Sequence, residues 1–179
     1  MRLFIAINFT PQIKQSLCDT MQRLALYTQK GNFTLPENLH LTLAFLGEVP
    51  PNRLEAVKAA MNQVNAQAFP LCLQGVGRFV RQGGDILWVG IQKNNALLQL
   101  NRQLCASLAQ AGFVLESREF RPHLTLAREV VLQPTFVQKD FEQTMPVMNM
   151  QVEAFHLMLS ERVKGKLTYT ELYRRELSL

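Results

Sequence analysis

The stretch His40-Leu41-Thr42-Leu43 returns as His123-Leu124-Thr125-Leu126. Successive side chains of a β-strand point to opposite faces, so His and Thr two positions apart share one face while the two leucines face a core. Two of the three histidines lie in these copies. The repeat therefore predicts two strands that each present an imidazole beside a hydroxyl, and these four groups together suit an in-line displacement at phosphorus.

The sequence around the two copies predicts the remaining elements. Short apolar runs and turn signals predict strands, and apolar residues at helical spacing predict helices. The predicted strands cover residues 3–7, 38–45, 69–80, 86–91, 121–128, 147–159 and 166–172, and the predicted helices begin at Thr10-Pro11, begin at Arg53 and cover residues 95–110. Loops are predicted around Gly31 and Pro36, over residues 131–145 as a loop or edge segment, over residues 161–165 as a polar hairpin loop and over residues 177–179 as a loose end. Gly75 and Gly77 predict a bulge or a close backbone approach within the strand over residues 69–80.

Both halves of the chain follow the order strand, helix, loop and motif strand. Thirty-five positions separate Ile5 from His40, and 35 separate Trp88 from His123. This repetition predicts an internal duplication with pseudo-twofold symmetry. We expect residues 1–179 to form one domain of two lobes, because no low-complexity linker divides them.

Composition limits the class of protein. The chain has 179 residues, 47% of them apolar and 18% charged, with a net charge of +5 and a pI near 9.4. This composition is typical of a globular protein, and the modest positive charge favours an anionic partner such as nucleic acid or a nucleotide. The N-terminal apolar run is too short for a signal peptide, and no segment reaches the length of a membrane span. With three separated cysteines, Cys18, Cys72 and Cys105, we expect a cytoplasmic protein in a reducing compartment and no membrane partner.

Two histidines can supply the proton transfers of a phosphodiester displacement. One must accept a proton from the attacking oxygen and the other must protonate the leaving oxygen. A histidine has an ordinary pKa of about 6.5, so one can be neutral while the other is charged, which predicts a bell-shaped pH profile. Thr42 and Thr125 would donate hydrogen bonds to the non-bridging oxygens, and loss of one donor should cost less than loss of either histidine.

Structural and metal-binding interpretations compete with this one. Each motif histidine could be a half-buried strand residue, although duplication makes that interpretation weaker. Glu37, Glu48 and Glu119 lie near the motifs, but Thr is a poor zinc ligand and no established zinc motif occurs, so we expect no metal and no cofactor. His156 has no Thr two positions later and is predicted to be structural.

Other residues are candidates for substrate binding. Arg121 shares the strand face of His123, whereas Arg128 has the opposite parity and reaches the site only if the strand bends or ends. Phe4, Phe45, Phe120, Trp88 and Tyr169 are aromatic candidates for stacking a base, although most should be core residues. A basic C-terminal cluster could follow an RNA backbone, but a solubilising surface role is favoured; it comprises Arg162, Lys164, Lys166, Arg174 and Arg175.

The motifs with their flanking residues resemble those of a known family. The segments over residues 38–47 and 121–128 are similar to the paired H-x-T-x motifs of the 2H phosphoesterase superfamily, in particular its branch of RNA 2',3'-cyclic phosphodiesterases, once called 2'-5' RNA ligases. Residues 2–7 near the N-terminus and Leu159, Ser160, Gly165 and Tyr169 near the C-terminus also resemble that branch.

The resemblance implies a fold, a reaction and roles. The fold would be α+β and bilobal, with two antiparallel sheets lining a central cleft and helices outside. A metal-independent enzyme would open an RNA 2',3'-cyclic phosphate end to a 2'-phosphomonoester, with His40 as proton donor and His123 as proton acceptor. Thr42 and Thr125 would hold the phosphate, and Arg121, Arg128, Phe4, Phe45 and Tyr169 are the candidate substrate-binding residues. We expect a monomer that acts on RNA ends or nucleotides, with tRNA fragments among the candidates.

Two other functions remain open at this stage. The same chemistry could serve a 2'-5' ligase that joins tRNA halves, by microscopic reversibility, or a phosphodiesterase of small cyclic nucleotides. A non-catalytic nucleotide-binding or RNA-binding module is disfavoured, because binding alone does not require two titrating groups around one phosphate.

Overall fold

The computed structural model describes residues 1–178. Within that range the chain forms nine strands and four α-helices. The strands are β1 (Arg2–Asn8), β2 (Thr28–Phe33), β3 (His40–Glu48), β4 (Phe69–Phe79), β5 (Asp85–Ile91), β6 (His123–Leu132), β7 (Met148–Val152), β8 (Ala154–Val163) and β9 (Lys166–Glu176), and the helices are α1 (Pro11–Ala25), α2 (Leu54–Asn62), α3 (Asn95–Gln110) and α4 (Gln138–Gln143). The predicted bounds of α3 agree with the structure at both ends.

The strands form two antiparallel sheets. One sheet has the order β3-β1-β8-β9, and the other has the order β2-β6-β5-β4-β7. The first motif lies on β3 in the smaller sheet and the second on β6 in the larger sheet. The predicted α+β fold with two antiparallel sheets is confirmed.

One buried apolar cluster connects the two sheets and the helices. Leu41 and Leu124, the first leucines of the two motifs, are both buried in it. Leu97, Leu100, Leu104 and Leu108 form the buried stripe of α3. The core is therefore continuous between the two sheets. Across residues 1–178, no helix is both long and apolar enough to cross a membrane.

Side-chain caps fix the start of two helices. The Thr10 hydroxyl accepts a hydrogen bond from the Ile13 backbone N–H at 3.4 Å, and Asn94 Oδ1 accepts one from the Leu97 N–H at 2.9 Å. Such caps satisfy backbone donors that have no partner within the first helical turn. The Thr10-Pro11 start that the sequence predicts for α1 is confirmed.

A β-bulge interrupts each motif strand at the same place. On β3, Thr42 pairs with Ala6 and Ala44 pairs with Ile5, so Leu43 is the additional residue. A bulge of this kind breaks the alternation of side chains along a strand. Consequently Leu43 and Ala44 are both buried, and Phe45 returns to the face of Thr42.

The same irregularity occurs on β6. Thr125 pairs with Trp88 and Ala127 pairs with Leu87, so Leu126 is the additional residue. Arg128 therefore occupies the place on β6 that Phe45 occupies on β3. The two pairings also show that Ile5 corresponds to Leu87, so the equal spacings that we counted from Ile5 and Trp88 do not compare equivalent positions.

The bulge predicted from the glycines of β4 is confirmed at Gly75. The pairing of β4 with β5 shifts between Leu73 and Val76, and Gly75 between them has a φ of +76°. Gly77 packs directly against the Trp88 indole. The approach is so close that a Cβ at this position would lie 2.1 Å from the ring.

The structure contradicts the predicted loop around Gly31. Residues of β2 pair with β6 along one edge of the larger sheet, and most of their side chains are partly or fully exposed. An exposed edge strand has no buried face, so its sequence lacks the alternation that identifies strands. The loop prediction remains valid for Pro36, which begins a short 3₁₀ turn over Pro36–Asn38.

The C-terminal third differs from the prediction in three further places. The predicted strand over residues 147–159 is two strands, β7 and β8, which belong to different sheets. The segment over residues 131–145 contains α4, whose six residues include one buried side chain, Phe141, too few to produce a helical periodicity. The hairpin between β8 and β9 turns on Lys164 and Gly165 alone, both with positive φ, as expected for a two-residue turn.

Residues 177 and 178 are not a loose end. Leu177 is buried and its N–H donates to the Glu153 carbonyl at 2.8 Å, while Ser178 bridges to Gln67. The apolar Leu177 is therefore a core residue. Position 179 lies outside the described residues.

Candidate active site

One cavity of about 1390 Å³ lies between the two motif strands. Strands β3 and β6 come within 8 Å of each other, measured between Cα atoms, although they belong to different sheets. All nine residues that we predicted for the site line this cavity: His40, Thr42, His123, Thr125, Arg121, Arg128, Phe4, Phe45 and Tyr169.

The two motif histidines are held by the same backbone contact. His40 Nδ1 lies 2.7 Å from the Asn38 carbonyl oxygen, and His123 Nδ1 lies 2.7 Å from the Arg121 carbonyl oxygen. A carbonyl oxygen only accepts hydrogen bonds, so each Nδ1 carries a hydrogen and donates it. In each histidine Nε2 is therefore the nitrogen that can exchange a proton with a ligand.

His40 is enclosed by aromatic rings. Its ring centroid lies 4.8 Å from that of Phe4 and 5.2 Å from that of Tyr169, the latter in an edge arrangement. His40 Nε2 lies 2.9 Å from the Thr42 hydroxyl oxygen, so the two groups that share one strand face are hydrogen-bonded. Burial lowers the pKa of His40, and the positive charge of Arg128 lowers it further, whereas the hydrogen bond to Asn38 opposes these effects.

His123 has an equivalent aromatic support. The Phe79 ring meets it edge-on with centroids 5.1 Å apart, and the Trp88 ring lies 6.1 Å away. Trp88 and Phe79 also pack against each other at 5.3 Å. Trp88 therefore supports His123 and is absent from the lining of the cavity, whereas the other stacking candidate, Phe120, lines it.

The bulges bring Phe45 and Arg128 to the cavity. In a regular strand Arg128 would lie on the opposite face from His123. The additional residue Leu126 moves Arg128 to the face of His123 and Thr125, which is the kind of strand irregularity that we predicted Arg128 would need to reach the site. Phe45 is 39% exposed and carries the Arg2 guanidinium over its ring at 5.2 Å. Arg121 lies at the rim, where its guanidinium forms an ion pair with Glu119 at 3.3 Å.

Two positioning residues were missed by the sequence analysis. The buried Asn101 on α3 donates from Nδ2 to the Leu43 carbonyl at 2.8 Å, and the Thr34 N–H donates to the Leu126 carbonyl at 2.8 Å. Both contacts satisfy carbonyls of the bulge residues. For Asn101 a signal existed, since it is a polar residue next to Leu100 and four positions after Leu97 on the apolar stripe of α3.

His156 lies outside the cavity lining and is bound by another side chain. It is buried, and its Nδ1 lies 2.8 Å from the Glu171 carboxylate. This placement agrees with the structural role that we predicted for it.

The basic C-terminal cluster is largely occupied by contacts within the protein. Lys166 forms an ion pair with Glu37 at 2.6 Å and Arg174 forms one with Glu176 at 2.6 Å. Arg162 and Arg175 donate to backbone carbonyls of Gly165 and Glu176. These contacts favour the surface role over an RNA-tracking role.

The carboxylates that we considered as metal ligands are paired with cations. Glu37, Glu48 and Glu119 contact Lys166, the N-terminal ammonium group and Arg121, respectively. In the described part of the chain, no three His, Cys, Asp or Glu side chains are grouped to hold a metal ion.

The burial of His40 predicts the direction in which its pKa is shifted. We expect His40 to titrate below the ordinary value of about 6.5 in imidazole NMR spectra recorded against pH, because burial disfavours its charged form. Tyr169→Ala opens this site to water and should move the titration upward, whereas Tyr27→Ala, a change of the same kind at a tyrosine that does not line the cavity, should leave it unchanged. A wild-type midpoint at or above 6.5 would contradict the prediction.

Because the folded state binds this proton less tightly, the contribution of His40 to stability is present above pH 6.5 and is lost as the pH falls through its folded-state pKa.

Comparison with known proteins identifies the relatives of this chain. A family model described as the 2'-5' RNA ligase superfamily matches residues 13–164. A relative from Escherichia coli, named RNA 2',3'-cyclic phosphodiesterase, is 30% identical over 174 residues, which cover 97% of this chain and 94% of the relative. A protein of the same name from Geobacillus stearothermophilus is 36% identical over 129 residues, which cover 70% of this chain and 41% of that protein.

A solved structure has the same fold. The crystal structure of E. coli LigT complexed with 3'-AMP superposes with a TM-score of 0.82 at 28% identity, and the match covers 99% of this chain and 98% of LigT. The family model covers most of the chain and both motif strands, and the fold agrees over nearly the whole length. This chain therefore belongs to the 2'-5' RNA ligase superfamily.

Proposed function

We propose that this protein hydrolyses RNA 2',3'-cyclic phosphate ends to 2'-phosphomonoesters without a metal ion. The observation that carries the proposal is the matched presentation of His40 and His123, which line one cavity and each have Nδ1 bound to the carbonyl two residues earlier. The names of the relatives and the nucleotide in the LigT complex support the same substrate class. We include in the proposal a monomeric protein in the cytoplasm, with tRNA fragments among its substrates.

The proposed step transfers two protons. His123 Nε2 accepts a proton from water as the water oxygen bonds to phosphorus, and protonated His40 donates its Nε2 proton to the departing 3'-oxygen as that bond to phosphorus breaks. The products are a 2'-phosphomonoester and a 3'-hydroxyl, and solvent restores the starting protonation of both histidines. The assignment of acid and base follows the family resemblance, because the two motifs are nearly symmetric.

Differences between the two histidines agree with this assignment. Within residues 1–178 the His123 Nε2 atom has no side-chain hydrogen bond, so water can reach it, whereas the His40 Nε2 atom contacts Thr42. When His40 is neutral, the Thr42 hydroxyl donates to Nε2. When His40 is protonated, Nε2–H donates to Thr42 instead, which frees the hydroxyl hydrogen for a phosphate oxygen. An anionic phosphodiester in the cavity also raises the pKa of His40 toward its charged form.

Thr42 and Thr125 complete the phosphate site in this proposal. Their hydroxyls donate to the non-bridging oxygens, where negative charge increases during the displacement. Arg128 adds a positive charge that acts on His40 and Tyr169. Arg121 can join it if its guanidinium leaves Glu119 for the phosphate.

The aromatic candidates have different proposed roles. Phe45 is exposed at the cavity and offers a ring face on which a base can stack. Tyr169 contacts both Phe4 and His40. Phe4 is only 4% exposed, so we assign it to the positioning of His40 and not to contact with the base.

The direct test is the conversion of an RNA oligonucleotide that ends in a 2',3'-cyclic phosphate. We expect purified protein to produce a 2'-monophosphate in EDTA, at a rate equal to that in magnesium, because the proposed proton transfers and donors come from side chains. A 3'-monophosphate would reverse the leaving oxygen, and loss of activity in EDTA would contradict metal independence. No reaction with RNA but hydrolysis of small cyclic nucleotides would move the function to that alternative, and net joining of RNA ends at equilibrium would favour a ligase.

A further inference from the structure

A second cavity, of about 600 Å³, adjoins the catalytic cavity. Arg81, Ile86 and Arg128 line both cavities, so a ligand in the first can extend into the second. The second cavity is also bounded by Lys30 on β2 and Gln82 in the turn between β4 and β5. None of the motif residues lines it.

The second cavity is cationic. Among residues 1–178, Lys30, Arg81 and Arg128 form no ion pair. The single acidic side chain in the lining is Glu129, whose carboxylate accepts a hydrogen bond from Asn32 at 2.8 Å. Three positive charges thus face one negative charge, which favours an anionic ligand.

Three other cations around the catalytic cavity are paired with carboxylates. Arg121 is paired with Glu119 at 3.3 Å and Arg118 with Glu116 at 3.8 Å. At the edge formed by β9, Lys166 is paired with Glu37. Arg2 and Arg102 line the catalytic cavity and, among residues 1–178, also form no ion pair, but neither lines the second cavity. A polyanion that extends from the catalytic cavity into the second cavity therefore meets Lys30, Arg81 and Arg128 as unpaired cations.

Two glycines and an irregularity of β6 shape the backbone around the second cavity. Gly84 has a φ of +128° and lies against β6 so closely that a Cβ would be 2.5 Å from the Glu129 carbonyl carbon. The neighbouring Gly83 has nothing within 4 Å of its Cβ position. Glu129 itself has a φ of +53°, which is uncommon for a residue with a side chain and marks a second irregularity of β6 next to Arg128.

We propose that the second cavity binds the RNA backbone phosphate that precedes the terminal nucleotide, with Lys30 and Arg81 as its cations. The inference rests on the proposed function. An RNA whose 3' end carries the cyclic phosphate can continue only in the 5' direction, so its next phosphodiester must leave the catalytic cavity. Lysine and arginine recognise that phosphate by charge, without dependence on the base.

The test compares substrates with and without that phosphate. The substrates are a nucleoside 2',3'-cyclic monophosphate and a tetranucleotide that ends in the same cyclic phosphate. We expect Lys30→Gln to lower kcat/KM for the tetranucleotide by about tenfold to a hundredfold, the range for loss of a hydrogen bond to a charged group, and Gln82→Glu to lower it through the added negative charge. Both variants should leave kcat/KM for the mononucleotide within about twofold. Lys30→Gln should also reduce the slope of log kcat/KM against log salt by about 0.7 for the tetranucleotide.

Matched controls exist on the loop after β5. Lys93→Gln and Gln92→Glu make the same changes at exposed positions that line neither cavity, and both should leave each substrate unaffected. Equal effects of Lys30→Gln on the two substrates, or none on either, would overturn the inference while leaving the proposed function intact. Failure of the wild-type protein to hydrolyse both substrates would instead reject the proposed function and this inference with it.

Discussion

His40→Ala and His123→Ala are each expected to lower kcat for the cyclic phosphate by about 10² to 10⁴, the usual contribution of one general acid or base. In the proposed mechanism, each variant removes one of the two Nε2 atoms that exchange protons with the attacking water and the leaving oxygen. Turnover should be measured in EDTA with the RNA oligonucleotide, and binding should be measured separately with the 2'-phosphate product. We expect product affinity to change much less than kcat, because the proposed phosphate contacts of the threonine and arginine side chains remain.

The double variant distinguishes a cooperating pair from two independent groups. If the histidines act in one displacement, the loss in the double variant should be close to that of the more severe single variant. His156→Gln is the matched control, since this third histidine is bound to Glu171 and lies outside the cavity lining. Full activity in either single variant would reject the two-histidine mechanism.

The sequence predicts the centre of the site because the motif is local. In a strand, the positions of His40 and Thr42 relative to each other depend only on the two-residue period. The positions of Phe45 and Arg128 depend in addition on the bulges at Leu43 and Leu126. The sequence does not predict these bulges, because Leu and Ala occur equally well in regular and in bulged strands.

Features created by distant pairing were missed. β2 is polar and gains its hydrogen bonds from β6, about 100 positions later, so its own sequence contains no strand pattern. Asn101 contacts the bulge through the Leu43 carbonyl, 58 positions away. The end of β7 and the start of β8, on either side of Glu153, could not be predicted. The residues that flank Glu153 are apolar in both strands, and only the pairing with distant strands places β7 and β8 in different sheets.

The two histidines make equivalent contacts, but the residues that make these contacts come from non-equivalent strands. Both histidines use a backbone carbonyl to fix Nδ1 and two aromatic rings to hold the imidazole. The rings around His40 come from β1 and β9, whereas those around His123 come from β4 and β5. Residues far from the motifs can therefore disturb one histidine and leave the other in place.

Gly77→Ala is expected to test that selectivity. A Cβ at Gly77 would lie 2.1 Å from Trp88 Cζ2 and 2.2 Å from Cη2, so the indole must move, and the indole supports His123. Overpacking of this kind usually costs about 1 to 3 kcal/mol, and we expect the upper end here because backbone lies on one side of the contact and a rigid ring on the other. For a chain of this length, each kcal/mol corresponds to about 2 to 4 °C in Tm. We also expect kcat to fall, because His123 loses its packing, while the NMR titration of His40 stays at the wild-type midpoint.

A double-mutant cycle with Trp88→Phe isolates the cause. Phe lacks the fused part of the indole that contains Cζ2 and Cη2, so Gly77→Ala should cost much less stability and activity in the Trp88→Phe background than in the wild type. Gly31→Ala is the matched control, because Gly31 also lies in a strand without a positive φ and its Cβ would meet the Val130 side chain at 3.1 Å, where a small rotation suffices. Equal costs of Gly77→Ala in both backgrounds would show that the glycine acts through the backbone and not through Trp88. A shift of the His40 titration in Gly77→Ala would show instead that the two halves of the site are coupled through the core.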